Sequence, residues 1–146
     1  MGTLSLPDAS VVYIDTSVVI YSVEQVEGYS ELLEPLWNQL WTGALHVLSS
    51  ELILLESLVL PLRLDNEQLV KAYKRLLLSS RVQLLPITQT ILREAAQLRA
   101  RTRLKTPDAV HVATGLSVNC TMFLTNDEQL RTVSGLPTVV LSDLLD

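Results

Sequence analysis

Cysteine is all but missing from this chain. Cys120 stands alone, so no internal disulfide can form and no cysteine-based zinc site is available. A reducing cytoplasm fits that usage. Histidine is nearly as scarce: His46 and His111 are the only two, which leaves little but oxygen to bind a metal. Aromatic residues make up 5% of the chain and charged residues 18%, so Leu, Val and Ile must fill the core and much of the surface is weakly polar or covered by a partner. Eleven basic residues face sixteen acidic ones, a net charge of −5, which argues against a generic nucleic-acid coat protein. An enzyme acting on nucleic acid stays open if the acids gather at a metal site. No apolar run approaches the length of a membrane span, and Met1-Gly2-Thr3-Leu4-Ser5-Leu6-Pro7-Asp8 lacks the basic-then-apolar pattern of a signal peptide. Repeats, low-complexity tracts and Gly/Ser linkers are absent as well.

What is present is an alternation of apolar β-branched runs with helical patterns. The 146 residues suit one core, expected as a tail over 1–10 and a single domain over 11–146. Residues 11–15, 45–49, 82–85, 121–125 and 138–141 read as strands. Helices are expected over 16–24 and 29–42, with Pro35 in a first turn or at a break, and from a Ser50 cap to Leu60, ended by Pro61. Further helices are expected over 66–79 and 89–103, and from a Thr106 cap with Pro107 at the first position. Trp37 and Trp41, four residues apart, are assigned to the core in preference to half of a partner-binding stripe. Strands separated by helices, each strand an unbroken apolar run, predict an α/β fold with a mainly parallel sheet covered on both faces.

Four acids stand at the ends of these runs or inside one. Asp15 closes Val11-Val12-Tyr13-Ile14 and precedes Thr16-Ser17; Glu56 is the lone charge among the leucines of 52–60; Asp108 follows Thr106-Pro107; Asp127 follows Met122-Phe123-Leu124-Thr125-Asn126. An ionised carboxylate in an apolar setting is costly unless paired or bound to a metal. Each acid also has a plainer explanation. Asp15 can cap the next helix, Asp108 can answer a helix dipole, and Thr125 to Glu128 fits a capping box. Glu56 is harder to explain that way. Ligands of open α/β sheets bind beyond the carboxyl ends of the strands, where Asp15 and Asp127 both fall. Carboxylates select Mg²⁺ or Mn²⁺, and such ions can orient a water and neutralise a phosphodiester. Thr16 or Ser17 could hydrogen-bond a phosphate. His111 is assigned to packing or a structural hydrogen bond. Five of the eleven basic residues lie between Arg93 and Lys105; most read as a solvated face, with Arg99 and Arg103 as candidate phosphate contacts.

Val12-Tyr13-Ile14-Asp15-Thr16-Ser17, then Glu56, then Pro107-Asp108-Ala109-Val110-His111-Val112-Ala113, then Leu124-Thr125-Asn126-Asp127 resemble the four signatures of the PIN-domain family, in the family's order and spacing. The resemblance runs from about Val11 to Leu141. It implies a three-layer α/β/α sandwich around a short parallel sheet and a Mg²⁺- or Mn²⁺-dependent ribonuclease. Small stand-alone members of this kind are VapC-like toxins, held by a cognate antitoxin and commonly dimeric. Carried over by position, Asp15, Glu56, Asp108 and Asp127 form the acidic site, with Ser17 and then Thr16 as hydroxyl companions. The alternatives are an interaction module that has lost catalysis and, less favoured, an aspartyl phosphatase, which would want a second Asp two positions after Asp15.

Overall fold

The computed structural model describes residues 2–145. Five strands, β1 (Val11–Ile14), β2 (His46–Ser50), β3 (Gln83–Leu85), β4 (Met122–Thr125) and β5 (Thr138–Val140), form one sheet in the order β3-β2-β1-β4-β5. Every neighbouring pair is parallel. Among the described residues six α-helices connect and cover it: α1 (Thr16–Val23), α2 (Tyr29–Thr42), α3 (Leu52–Arg63), α4 (Glu67–Leu78), α5 (Gln89–Arg101) and α6 (Thr106–Ser117). The expected three-layer sandwich is the one observed.

The period-two geometry of a strand decides which core each residue joins. Val12 and Ile14 of β1 pack with α1 to α4 on one face, while Tyr13 between them packs with α5 and α6 on the other. Both faces are thus apolar, which is why the strands read as continuous hydrophobic runs. Gly115 lets α6 lie close against β4: a Cβ there would sit 2.9 Å from the Phe123 ring.

Helix boundaries fall within a residue or two of those expected, with instructive differences. Pro61 does not end α3, which runs on to Arg63. Proline removes only its own N–H, and downstream donors still close the turn: Leu64 N–H reaches Leu60 O and Asn66 N–H reaches Pro61 O. Thr106 is the first residue of α6 and Lys105 its cap. Trp37 is partly buried and donates to Ser22 Oγ at 2.9 Å, but Trp41 is 74% exposed, with the Arg81 guanidinium over its ring. Residues 2–10 carry no helix or strand, yet Leu4 is buried and Gly2 N–H donates to Leu144 O.

The chain leaves β1 toward β2 and β3, then returns to place β4 on the other side of β1. This reversal opens a crevice beyond the carboxyl ends of β1 and β4, the usual ligand position in such sheets.

Candidate functional site

Asp15 is the first residue past β1, and its backbone N–H continues the ladder to Leu124 O at 3.3 Å. That register sets Thr125, the last residue of β4, beside it. The fully buried Thr125 hydroxyl donates to Asp15 Oδ2 at 2.5 Å. Asp15 Oδ1 accepts from the Ser17 backbone N–H at 3.1 Å and the Ser17 hydroxyl at 2.6 Å, so it also caps α1. The plain reading of Asp15 as a cap is correct and covers only one of its two oxygens. Burial raises its pKa, against the opposing pull of the Ser17 and Thr125 hydrogen bonds and the His111 ring.

Glu56 lies in the second turn of α3 and reaches across to α1 and α6. Its Oε1 accepts from the Thr16 hydroxyl at 2.8 Å and lies 2.6 Å from His111 Nε2. Burial would raise its pKa, but the His111 hydrogen bond, the His111 charge and the Thr16 hydroxyl outweigh it, and the net shift is downward. His111 is buried on α6, and its Nδ1 meets the hydroxyl of Tyr13 at 2.7 Å.

Asp108 stands in the first turn of α6, partly buried, with no side-chain hydrogen bond among the described residues. Its pKa is raised, by burial first and then by the negative charges of Asp127, Asp15 and Glu56, which His111 only partly offsets. Asp127 caps the short 3₁₀ helix Glu128–Thr132 through Oδ1, which accepts from Gln129 N–H at 2.9 Å. Thr125 is therefore not the cap of that turn; its Oγ accepts the Asp127 N–H at 3.0 Å while its proton goes to Asp15. Asn126 is anchored by donating to the stacked Tyr21 and Tyr29 hydroxyls and accepting from Ser142 N–H.

Asp108 thus feels three acids distant in sequence, and two of them, Asp15 and Asp127, stand at the carboxyl edge of β1 and β4. Among the described residues no three Asp, Glu, His or Cys side chains gather closely enough to hold a metal ion by themselves. Mg²⁺ keeps several waters and takes one or two carboxylates directly, and acids that offer only oxygen suit a hard ion. A carboxylate whose proton affinity is raised by like charges is also one that a divalent cation relieves.

The basic residues divide. Arg99 is spent on the fold, its Nε donating to Leu104 O at 3.1 Å and its Nη1 to Thr106 Oγ at 3.0 Å. Arg103 lines a cleft of about 420 Å³ with Arg101, Gln129 and Thr132, next in the chain to the segments that carry Asp108 and Asp127. The sequence reading missed Thr125 and Tyr13 as parts of the site. A hydroxyl at a strand end is no signal until the register shows which acid lies opposite.

The chain matches the PIN domain family model over residues 12–136. No curated protein matches it at a significant level. Solved structures share the fold. The VapBC2 complex of Rickettsia felis, bound to a DNA fragment from its promoter, is 15% identical with a TM-score of 0.68, over 89% of this chain and 98% of that one. VapC20 of Mycobacterium tuberculosis, a sarcin-ricin loop cleaving toxin, is 17% identical with a TM-score of 0.69, over 84% and 95%. FitAcB of Neisseria gonorrhoeae is 17% identical with a TM-score of 0.62, over 91% and 99%.

Proposed function

Because this chain belongs to the PIN domain family, we propose that it is a Mg²⁺-dependent endoribonuclease that hydrolyses RNA phosphodiester bonds and serves as the toxin of a type II toxin–antitoxin pair. The observation that supports this reading best is the placing of Asp15 just past β1 and Asp127 just past β4, at the carboxyl edge of neighbouring parallel strands, with Asp108 near enough that its pKa is raised by burial and then by their charges. Asp15 and Asp108 would anchor Mg²⁺ (or Mn²⁺), with Glu56 and Asp127 completing the site. When bound, the ion supplies Lewis-acid polarisation and charge neutralisation for in-line attack on a phosphodiester.

The chain's own residues prepare that site. Ser17 and Thr125 hold Asp15 by both oxygens, and the Thr16 hydroxyl and His111 hold Glu56 by one. Thr16 and Ser17 were expected to position substrate; here their hydroxyls orient carboxylates, and any phosphate contact is shared with that duty. The cleft beside Arg101 and Arg103 offers an RNA strand a cationic approach from the Asp108–Asp127 side. This local positive edge answers the objection raised by the net charge of −5.

The similar solved structures include toxin–antitoxin complexes, and this supports a cognate antitoxin as partner. Leu55, Val59, Leu60 and Leu62 on α3, and Leu64 just beyond, are all exposed, a surface that suits an antitoxin or a second copy in a homodimer. No helix among the described residues is long and apolar enough to cross a membrane; the single cysteine supports a reducing cytoplasm as its place. The alternative, a PIN-fold module without catalysis, has no lost carboxylate to rest on. The test is incubation of purified protein with a panel of structured RNAs, with Mg²⁺ and with EDTA. Cleavage that needs Mg²⁺ and disappears in Asp108→Asn is expected; no cleavage of any RNA, with a competent control nuclease active, would sink the proposal.

A further inference from the structure

The hydrogen-bond chain that ends on Glu56 begins deep in the core. Tyr13 is fully buried in the middle of β1, stacked on Phe123 at 4.8 Å between ring centroids and set edge-on to His111 at 5.8 Å. Its hydroxyl lies 2.7 Å from His111 Nδ1. The Glu56 carboxylate offers Nε2 only acceptor oxygens, so Nε2 carries a ring proton. With that proton on Nε2, a neutral ring accepts from the Tyr13 hydroxyl at Nδ1. Nε2 is the atom 2.6 Å from Glu56 Oε1, and the Thr16 hydroxyl donates to that same oxygen. With the neutral ring every donor in the row points outward, from core to crevice. Glu56 Oε1 receives two of them, while Oε2 has no hydrogen-bond partner among the described residues.

A glutamate on a half-exposed helix face samples several rotamers, and fixing it costs conformational entropy. Two donors on one oxygen remove that freedom before any ligand arrives. Packing alone does not call for this arrangement, since apolar side chains would fill the space beneath α6 without desolvating an imidazole and a phenol. Relays of this kind, in which a buried partner fixes a histidine tautomer and the histidine orients the next group, are the usual support behind metal-binding side chains.

We infer that His111 is a positioning residue: backed by Tyr13, it grips Glu56 by Oε1 and reserves Oε2 for the divalent cation. The role rests on the reading that the four carboxylates hold such an ion, but not on what the ion-loaded protein cleaves. It gives a task to the buried histidine that the sequence assigned to packing or a structural hydrogen bond.

The experiment uses Mn²⁺ titrated calorimetrically into the full chain, with ¹⁵N spectra of the imidazole rings in the metal-free protein. Tyr13→Phe keeps the ring and removes only the donor, so it guards against misfolding in the His111 variants. Expected are an Nε2–H tautomer at His111 whose resonance moves in Glu56→Gln, and Mn²⁺ affinity weakened about 10–100-fold by His111→Leu. Tyr13→Phe should weaken it less, and His111→Gln, whose amide can still donate, should recover most of the loss. In a Glu56→Gln background, His111→Leu should change Mn²⁺ affinity less than about twofold, because the two residues act as a unit. Folded Tyr13→Phe and His111→Leu proteins that bind Mn²⁺ like the parent would overturn the inference. So would an equal loss with and without Glu56, or a ring proton on Nδ1. Uptake of Mn²⁺ that depends on His111 without any RNA cleavage upholds the positioning role and removes the ribonuclease reading. Cleavage with no such dependence does the reverse, and a parent protein that takes up no Mn²⁺ removes both.

Discussion

Asp15 and Glu56 are tied down; Asp108 is not. The first two come from a strand end and a helix turn that face hydroxyls and an imidazole, and they accept five hydrogen bonds between them. Asp108 sits at a helix start, accepts none from any side chain among the described residues, and is governed by burial and the charge of its neighbours. The comparison teaches how a small fold builds a high-charge crevice. Part of the charge is fixed by local donors at little cost, and the remainder is left uncompensated, so that the energy of the site depends on what enters it.

The largest effect should come from removing the uncompensated charge. Asp108→Asn should lower Mg²⁺-dependent cleavage by at least about 10²–10³-fold, the scale of losing one preorganised electrostatic contact. The same change should raise the melting temperature of the metal-free protein, because it deletes repulsion and breaks no hydrogen bond. Asp15→Asn should also abolish cleavage, but without that gain, since an amide nitrogen cannot accept the Thr125 proton. Paired activity assays and calorimetric melts test this, and equal melting behaviour of the two variants would erase the distinction drawn between them.

Thr125→Val should come next. It strips the donor from Asp15 Oδ2 and the acceptor from Asp127 N–H. Leaving those buried groups unsatisfied should cost about 1–3 kcal/mol in chemical denaturation, and Mg²⁺ affinity should fall about 10–100-fold. Thr125→Ser should restore both.

A pH series sharpens the contrast further. Asp15 and Asp108 have raised pKa values, so the metal-free folded state holds their protons more tightly than the unfolded chain. Their contribution to stability is full below the ordinary aspartate value and is lost as pH rises through the raised folded values. Glu56, with a lowered pKa, contributes above its ordinary value, and that contribution is lost as pH falls through the folded one. Saturating Mg²⁺ should invert the aspartate slope, because the ion binds only the ionised form. Thermal melts from about pH 3 to 7, with and without Mg²⁺, read the sign directly. Parallel curves would mean that the ion does not sit on these residues.

The smallest effect should separate two arginines. Arg103→Gln should leave stability unchanged and reduce the slope of log RNA affinity against log salt by about 1, the loss of one phosphate contact. Arg99→Gln should leave that slope alone and loosen the loop between α5 and α6, whose carbonyl and hydroxyl it holds. Filter binding at several salt concentrations distinguishes them.

Much of this was legible in the chain. Val11 to Ile14 and Met122 to Thr125 read as strands because both faces of a covered parallel sheet are apolar. The segment from Thr106 announced α6 because Pro107 suits a first turn. Trp41 misled, because an i, i+4 aromatic pair looks like a buried stripe and only the packing of α2 shows that one ring is left outside. Pro61 misled for a similar reason: the carbonyls of Leu60 and Pro61 found donors that lie beyond the helix.

The order of hydrophobic and charged residues by itself determined the sandwich and nominated the four acids, since periodicity and the cost of stranding a carboxylate are local properties. Tertiary structure alone decided that Thr125 faces Asp15, that Tyr13 stands behind His111, and that Arg99 is bonded to Leu104 and Thr106 while Arg103 lines a cleft. Those partnerships cross 98 or 110 residues in two of the three cases, and strand register and helix rotation, which no stretch of chain encodes alone, set which atoms meet.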